Sequence, residues 1–361
     1  MAAAVVLIFH AEAARDAGPL EGWVADARCR LADHHRVAFA AAGATGVRIV
    51  AGPPDDTPFG ARLRDFTERE RPAGIVVLGS GSIPLATAAD RHAFVSAASG
   101  PERVALTNNR FSADIVAVAG SAALRDLPDL ATDNALPRWL HEVAGYAVRE
   151  RRSWRLGIDV DGPLDLVLLG PDAGPVRPRS RARTFAPPPP GEIDLGRVQR
   201  AIARVRAVAA DRAAELVVAG RSSAAALAWL ERRQPARVRA LIEERGLRTS
   251  TVGQRRPSSI LGAVLDRDGP GSLGTHLAAL GDAAILDSRV LLAHRLGADE
   301  RAWPSAEDRF ASDLLLHERI GDPWLRALTR AAANAPIPIV LGGHTLVGPG
   351  LRLALGAHGS A

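Results

Sequence analysis

At 361 residues the chain is long enough for two ordinary domains, it is 47% hydrophobic without a run near the roughly 18 apolar residues of a membrane span, and its one cysteine, Cys29, excludes an internal disulfide and a cysteine-rich zinc site. All 45 residues counted as Lys+Arg are arginine, which excludes Schiff-base lysine chemistry and a P-loop lysine gripping phosphate. The net charge of +5 is modest and the arginines interleave with acids, as in RLRDFTERERP, so nucleic acid is not an expected partner; the lack of an apolar span argues against a membrane, and the single cysteine fits a reducing cytoplasm.

The N-terminal AAVVLIF has no positive residues ahead of it and reads as a buried first strand rather than a leader. A helix is expected from Trp23 to Ala42, then the strand VRIVAG, a helix through ARLRDFTERER and the strand GIVVLGS. A helix near 88–98 precedes the strand RVALTN and the apolar segment ADIVAVAG. ATDNALPRWLHEVAG reads as a helix starting near Asp133 or Asn134, and WRLGIDV as the strand that follows. Apolar strands without clean alternation, separated by helices, predict a doubly wound, mainly parallel α/β sheet over residues 1–170.

The stretch GPDAGPVRPRSRARTFAPPPPGEID carries four consecutive prolines and no apolar periodicity, so a Pro/Arg-rich linker is expected over 171–193. Residues 194–361 repeat the strand and helix grammar with more helix, predicting a second α/β domain. A long helix begins at Asp194, ELVVAG, AAILDS and PIPIVLGG are candidate strands, and VRALIEERG and SSILGAVLDRD read as helices.

Candidate functional residues cluster just past strand ends, where ligands bind in open α/β sheets. In WRLGIDVDGPLDLVLL, Asp159 and Asp161 fall on one face of an extended strand, and Pro163 suits the first turn of a following helix. The Gly79–Ser82 segment of GSGSIP (Gly79, Ser80, Gly81, Ser82) reads either as a tight turn or as a cradle of backbone amides for phosphate. In TNNRFSAD, Asn108, Asn109 and Arg110 either form turns or read a base or an acceptor. Beyond the linker, VVAGRSS places Arg221 and Ser222 between a strand and a helix start, a setting for an anion or simply for a cap. LGGHTLVGPG places His344 after a strand, and Asp287 in LDSR supplies an acid that either converges with it or pairs on the surface.

Residues 1–170 resemble the nucleotidyltransferase superfamily of the nucleotide-diphospho-sugar transferase type, particularly the molybdenum-cofactor guanylyltransferases and the phospholactate guanylyltransferases of deazaflavin cofactor synthesis. The likeness rests on element order, on IDVDGPLDL, which matches an acid-rich strand followed by Thr-Pro and an acidic helix start, and on VVLGSGSIPL, which matches a strand ending in an acid two residues before a proline. The chain departs from that pattern twice. FHAEAARDAGPL stands where the family has a glycine-rich loop with Arg and Lys, and Ser82 stands where the family has the mid-chain acid.

The resemblance implies transfer of a nucleoside monophosphate from a nucleoside triphosphate to a phosphorylated small-molecule acceptor, with release of pyrophosphate. It implies magnesium held by Asp161 and Asp159, with Arg15 and Arg110 as phosphate partners in place of lysine. Two alternatives stand beside it. One is a catalytically degenerate protein that still binds a nucleotide or phosphometabolite, and the other is an enzyme with its active site in the second domain around His344.

Overall fold

Most of the expected strands form, and the exceptions have identifiable physical causes. The structure, a computed structural model, describes residues 4–53, 55–101, 103–170, 185–244 and 256–356. The described residues divide into two compact units, one of residues 4–16, 25–160 and 185–187 and one of residues 17–24, 161–170 and 188–356. Residues 171–184 of the expected linker lie outside the described residues.

Up to Val160 the elements are β1 (Ala4–Ala11), α1 (Pro19–Ala41), β2 (Gly46–Gly52), α2 (Phe59–Glu70), β3 (Gly74–Gly79), α3 (Ala88–Ala98), β4 (Val104–Thr107), β5 (Ile115–Ala119), α4 (Leu136–Glu142) and β6 (Ala147–Glu150). The strands form one sheet in the order β2-β1-β3-β5-β4-β6. Val6, Ile8, Val76 and Leu78 pack with Phe39 and Phe94 on one face, and Leu7, Ile75, Val77 and Val118 pack with Leu63, Phe66 and Leu140 on the other. Each such side chain contributes roughly 1.5–3 kcal/mol on burial. Helices on both faces explain why these strands are apolar throughout instead of alternating.

The sheet is mixed rather than mainly parallel. β5 runs antiparallel to both β3 and β4, while the β1–β2, β1–β3 and β4–β6 pairings are parallel. The cause is chain length, because the short segment between Thr107 and Ile115 cannot make the crossover of a dozen or more residues that a parallel neighbour needs.

WRLGIDV also departs from expectation. Trp154–Gly157 is a short helical turn, followed by a single antiparallel bridge between Asp159 and Ser82. The parallel position beside β4 is taken by β6, so no strand remains on which Asp159 and Asp161 would share a face.

From Asp161 onward the elements are α5 (Pro163–Leu169), α6 (Gly196–Ala209), β7 (Glu215–Gly220), α7 (Ala224–Arg233), β8 (Arg237–Ile242), α8 (Ile260–Asp268), α9 (Leu273–Ala278), β9 (Ala283–Asp287), α10 (Ser288–Leu296), α11 (Ala306–Asp313), α12 (Pro323–Ala333), β10 (Ile339–Gly342), α13 (His344–Val347) and α14 (Leu351–Leu355). The four strands form a wholly parallel sheet in the order β10-β9-β7-β8. Its centre, β7 and β9, is the apolar LVVAG and AAILD. The apolar part of VRALIEERG, expected as a helix, is the edge strand β8. Pro235 stops the preceding helix pattern, and VRALI then extends along β7. No helix among the described residues is long and apolar enough to cross a membrane.

His35 links the core of the first unit to its rim. Its ring is fully buried, and Nε2 donates to the Ser82 carbonyl oxygen at 2.8 Å. Burial, reinforced by the nearby Arg91 charge, pushes its pKa down to about 3 from 6.5. The unfolded chain therefore binds a proton near pH 6.5 that the folded chain refuses until about pH 3, so stability is complete above that window and is lost as pH falls through it. At about 1.4 kcal/mol per pKa unit the loss approaches 5 kcal/mol at the acid end. Urea unfolding from pH 7 to 4 is expected to show this decline. His35→Gln, which keeps a donor for Ser82, is expected to flatten it, and an unchanged slope would contradict the assignment.

Candidate functional site

In an open α/β sheet the carboxyl ends of the strands form one rim, and a crevice opens where successive connections diverge. In the six-stranded sheet that point lies between β1 and β3, since β1 has β2 on its other side. Side chains join the two strand ends, His10 one residue before the end of β1 and Ser80 just past β3. His10 Nδ1 and Ser80 Oγ share a hydrogen bond of 3.0 Å, with His10 9% and Ser80 4% exposed. Burial lowers the His10 pKa, the Glu12 charge opposes this and the Arg28 charge adds to it, so the ring is held toward its neutral form.

The turn after β3 is closed on itself. Ser80 N donates to Phe9 O at 2.8 Å, Ser82 N to Gly79 O at 3.2 Å and Ile83 N to Ile158 O at 3.1 Å. Val160 N returns a bond to Gly81 O at 3.0 Å, and Arg28 Nε donates to Val160 O at 2.7 Å. Gly81 is required by close approach, since a Cβ there would stand 2.9 Å from Asp159 Oδ1 and 3.0 Å from Val160 O. Within Gly79–Ser82 the amides of Ser80 and Ser82 are thus committed to backbone carbonyls, as a tight turn requires, and these two do not serve a phosphate.

TNNRFSAD also serves its own loop. Asn108 Nδ2 donates to Asp114 Oδ2 at 2.6 Å and to Leu156 O at 2.8 Å, and its Oδ1 accepts from Asp114 N at 3.0 Å. Asn109 Oδ1 accepts from Phe111 N, while Arg110 Nη2 donates to Val148 O at 2.8 Å. These groups fasten the β4–β5 connection, as the turn-forming reading expects. Arg15 is exposed in a turn beyond β1.

The division between units falls between Val160 and Asp161, so Asp159 belongs to the first and Asp161 to the second. Asp161 Oδ2 lies 3.8 Å from His344 Nδ1, and the two side chains are 42% and 38% exposed. Asp165, at the third position of α5, accepts from the N–H groups of Asp161 and Gly162 at 2.9 Å each. Burial raises the Asp165 pKa well above the usual carboxyl range, and the neighbouring Asp161 charge raises it further.

The remaining second-unit candidates stand on the rim of the parallel sheet, whose connections diverge between β7 and β9. Gly220 ends β7 with φ of +125°, and a Cβ there would stand 2.3 Å from Asp287 Cβ. That approach brings Arg221 onto Asp287, with Nε to Oδ2 at 2.6 Å and Nη2 to Oδ1 at 3.1 Å, both side chains being buried. Burial alone would raise the Asp287 carboxyl, but the Arg221 charge and hydrogen bonds, helped by His344 and Arg289, hold it below the ordinary range. Beside it, Arg289 of LDSR and Asp313 of EDRFASD form a second pair, with Nη2 to Oδ2 at 2.6 Å, and it lies largely buried instead of on the surface.

Magnesium finds a poor donor set here. Among the described residues no three His, Cys, Asp or Glu side chains are grouped to hold a metal ion. The position that the resemblance gives to a second acid is Ser82, buried in the closed turn. Hard cations favour anionic oxygen, so these residues do not fit a resident magnesium ion. No family model matches the chain, and no curated protein is significantly similar to it.

The buried Arg221–Asp287 pair gives a direct stability test. Arg221→Met leaves a buried carboxylate uncompensated and is expected to cost about 3–5 kcal/mol. Arg221→Met with Asp287→Leu removes both charges and is expected to recover most of that loss in chemical denaturation. A double variant no more stable than the single one would show that the pair does not act as a unit.

Proposed function

We propose that this protein binds a nucleotide or phosphorylated metabolite on a nucleotidyltransferase-like first unit and does not operate as a magnesium-dependent transferase. The observation that carries the reading is Ser82, which takes the place of an acid in the resemblance and sits in a turn bridged through its backbone to Asp159. The switch point between β1 and β3 supports ligand binding at that rim, where His10 and Ser80 meet. Transfer of a nucleoside monophosphate to a phosphorylated acceptor would need charge neutralisation at the reacting phosphate, and a neutral serine is a weak substitute for a carboxylate in that task.

Thermal denaturation with nucleoside triphosphates, with and without magnesium, separates the two outcomes. The proposal expects a nucleotide-dependent rise in Tm that is the same in both conditions and survives Asp161→Ala. A rise that requires magnesium and disappears in Asp161→Ala would restore the transferase.

A further inference from the structure

We infer that the turn between β7 and α7, residues 220–226, binds the phosphate group of a small phosphorylated metabolite. The inference stands on the second unit alone and does not rest on the reading of the first.

β7 is the first strand of the parallel sheet and has β8 on one side and β9 on the other, so the chain leaves it at the point where the later connections part. Ligands of open α/β sheets sit outside that point. The positive φ of Gly220 makes the exit sharp, and the chain enters the ten-residue helix α7 through Ser223, whose hydroxyl caps Ala226 N at 3.2 Å. Ala226 N is taken by that cap and Ser222 N by Gly220 O at 2.9 Å, so the first-turn amides without an intrahelical acceptor are those of Ala224 and Ala225, at the positive end of the helix dipole, which favours an anion.

A second observation points to the ligand. Ser222 is completely buried, and its Oγ has no hydrogen-bond partner. Thr345, at the start of α13 beyond β10, is buried with its Oγ1 in the same condition. Leaving a buried hydroxyl unmatched costs about 1–3 kcal/mol, so two of them on one rim mark donors whose acceptor is not on the chain. Phosphate, with several acceptor oxygens, is the group that hydroxyl and amide donors at a helix start match best.

The nearby cations shape this site without filling it. Arg221 is held by Asp287 in a two-bond pair, which fixes the turn and removes the guanidinium from direct service to a ligand. Recognition then falls to neutral donors at the helix start.

The test is thermal denaturation and calorimetric titration of the full chain with inorganic phosphate, a sugar phosphate and a nucleoside monophosphate, each against chloride at equal ionic strength. Inorganic phosphate is expected to raise Tm above the chloride control, and the two organic phosphates show whether a sugar or a nucleoside extends the site. Ala224 and Ala225 are exposed in the first turn of α7, where acids favour the helix but repel phosphate. Ala224→Asp with Ala225→Glu is therefore expected to keep the unliganded Tm and lose the phosphate shift. Ser222→Ala is expected to leave the unliganded protein at least as stable and to weaken phosphate binding about tenfold, the equivalent of about 1.4 kcal/mol. Phosphate no better than chloride, or a shift unchanged in either variant, would overturn the assignment.

Discussion

Parallel strands that end together at one rim are the constraint from which the rest of this structure follows. Neighbours such as β7 and β9 are joined by helices, so the residues immediately past each strand are released at the same edge of the sheet. Asp287 follows four apolar residues of β9, and Arg221 follows the last residue of β7. The only backbone that lets these ends close up is glycine at 220. A side chain there would separate the strand ends, and the buried ion pair would lose its geometry.

The lysine-free composition has a structural counterpart. Arginine carries five donors on a rigid plane, and here it repeatedly ties off main-chain carbonyls at the ends of elements. Arg28 donates to Val160, Arg91 to Ala86, Arg110 to Val148, Arg206 to Ala354 and Arg326 to Ile320. Others are held by buried acids, as Arg289 is by Asp313. Guanidinium groups held in this way are fixed in position at the ends of the elements.

Much of the fold was legible in the sequence. Runs such as GIVVLG and ELVVAG became strands because their continuous apolar character demands cover on both faces. The reversal of β5 was also written there, in a connection too short for a crossover, but apolar periodicity carries no direction. VRALI was misread because a short edge strand with mixed exposure resembles one face of a helix. At the sites, Arg221, Ser222, Asp287 and His344 were visible as polar residues just beyond apolar runs. Asn108, Asn109 and Arg110 had the same appearance, and local bonds such as Asn108 to Leu156 and Arg110 to Val148 could not be told from ligand-binding roles in the sequence, since amide and guanidinium groups satisfy a turn as readily as a ligand. The His10–Ser80 contact joins residues 70 apart and the Arg28–Val160 contact residues 132 apart, separations that no local pattern encodes.

The central claim is that phosphorylated ligands meet this protein at the carboxyl ends of its parallel strands. Amide hydrogen exchange with and without a nucleoside triphosphate, in the absence of magnesium, measures this directly. The account expects protection in the segments just past β1, β3 and β7. Protection confined to the amino ends of those strands, or to the outer faces of the covering helices, would contradict it.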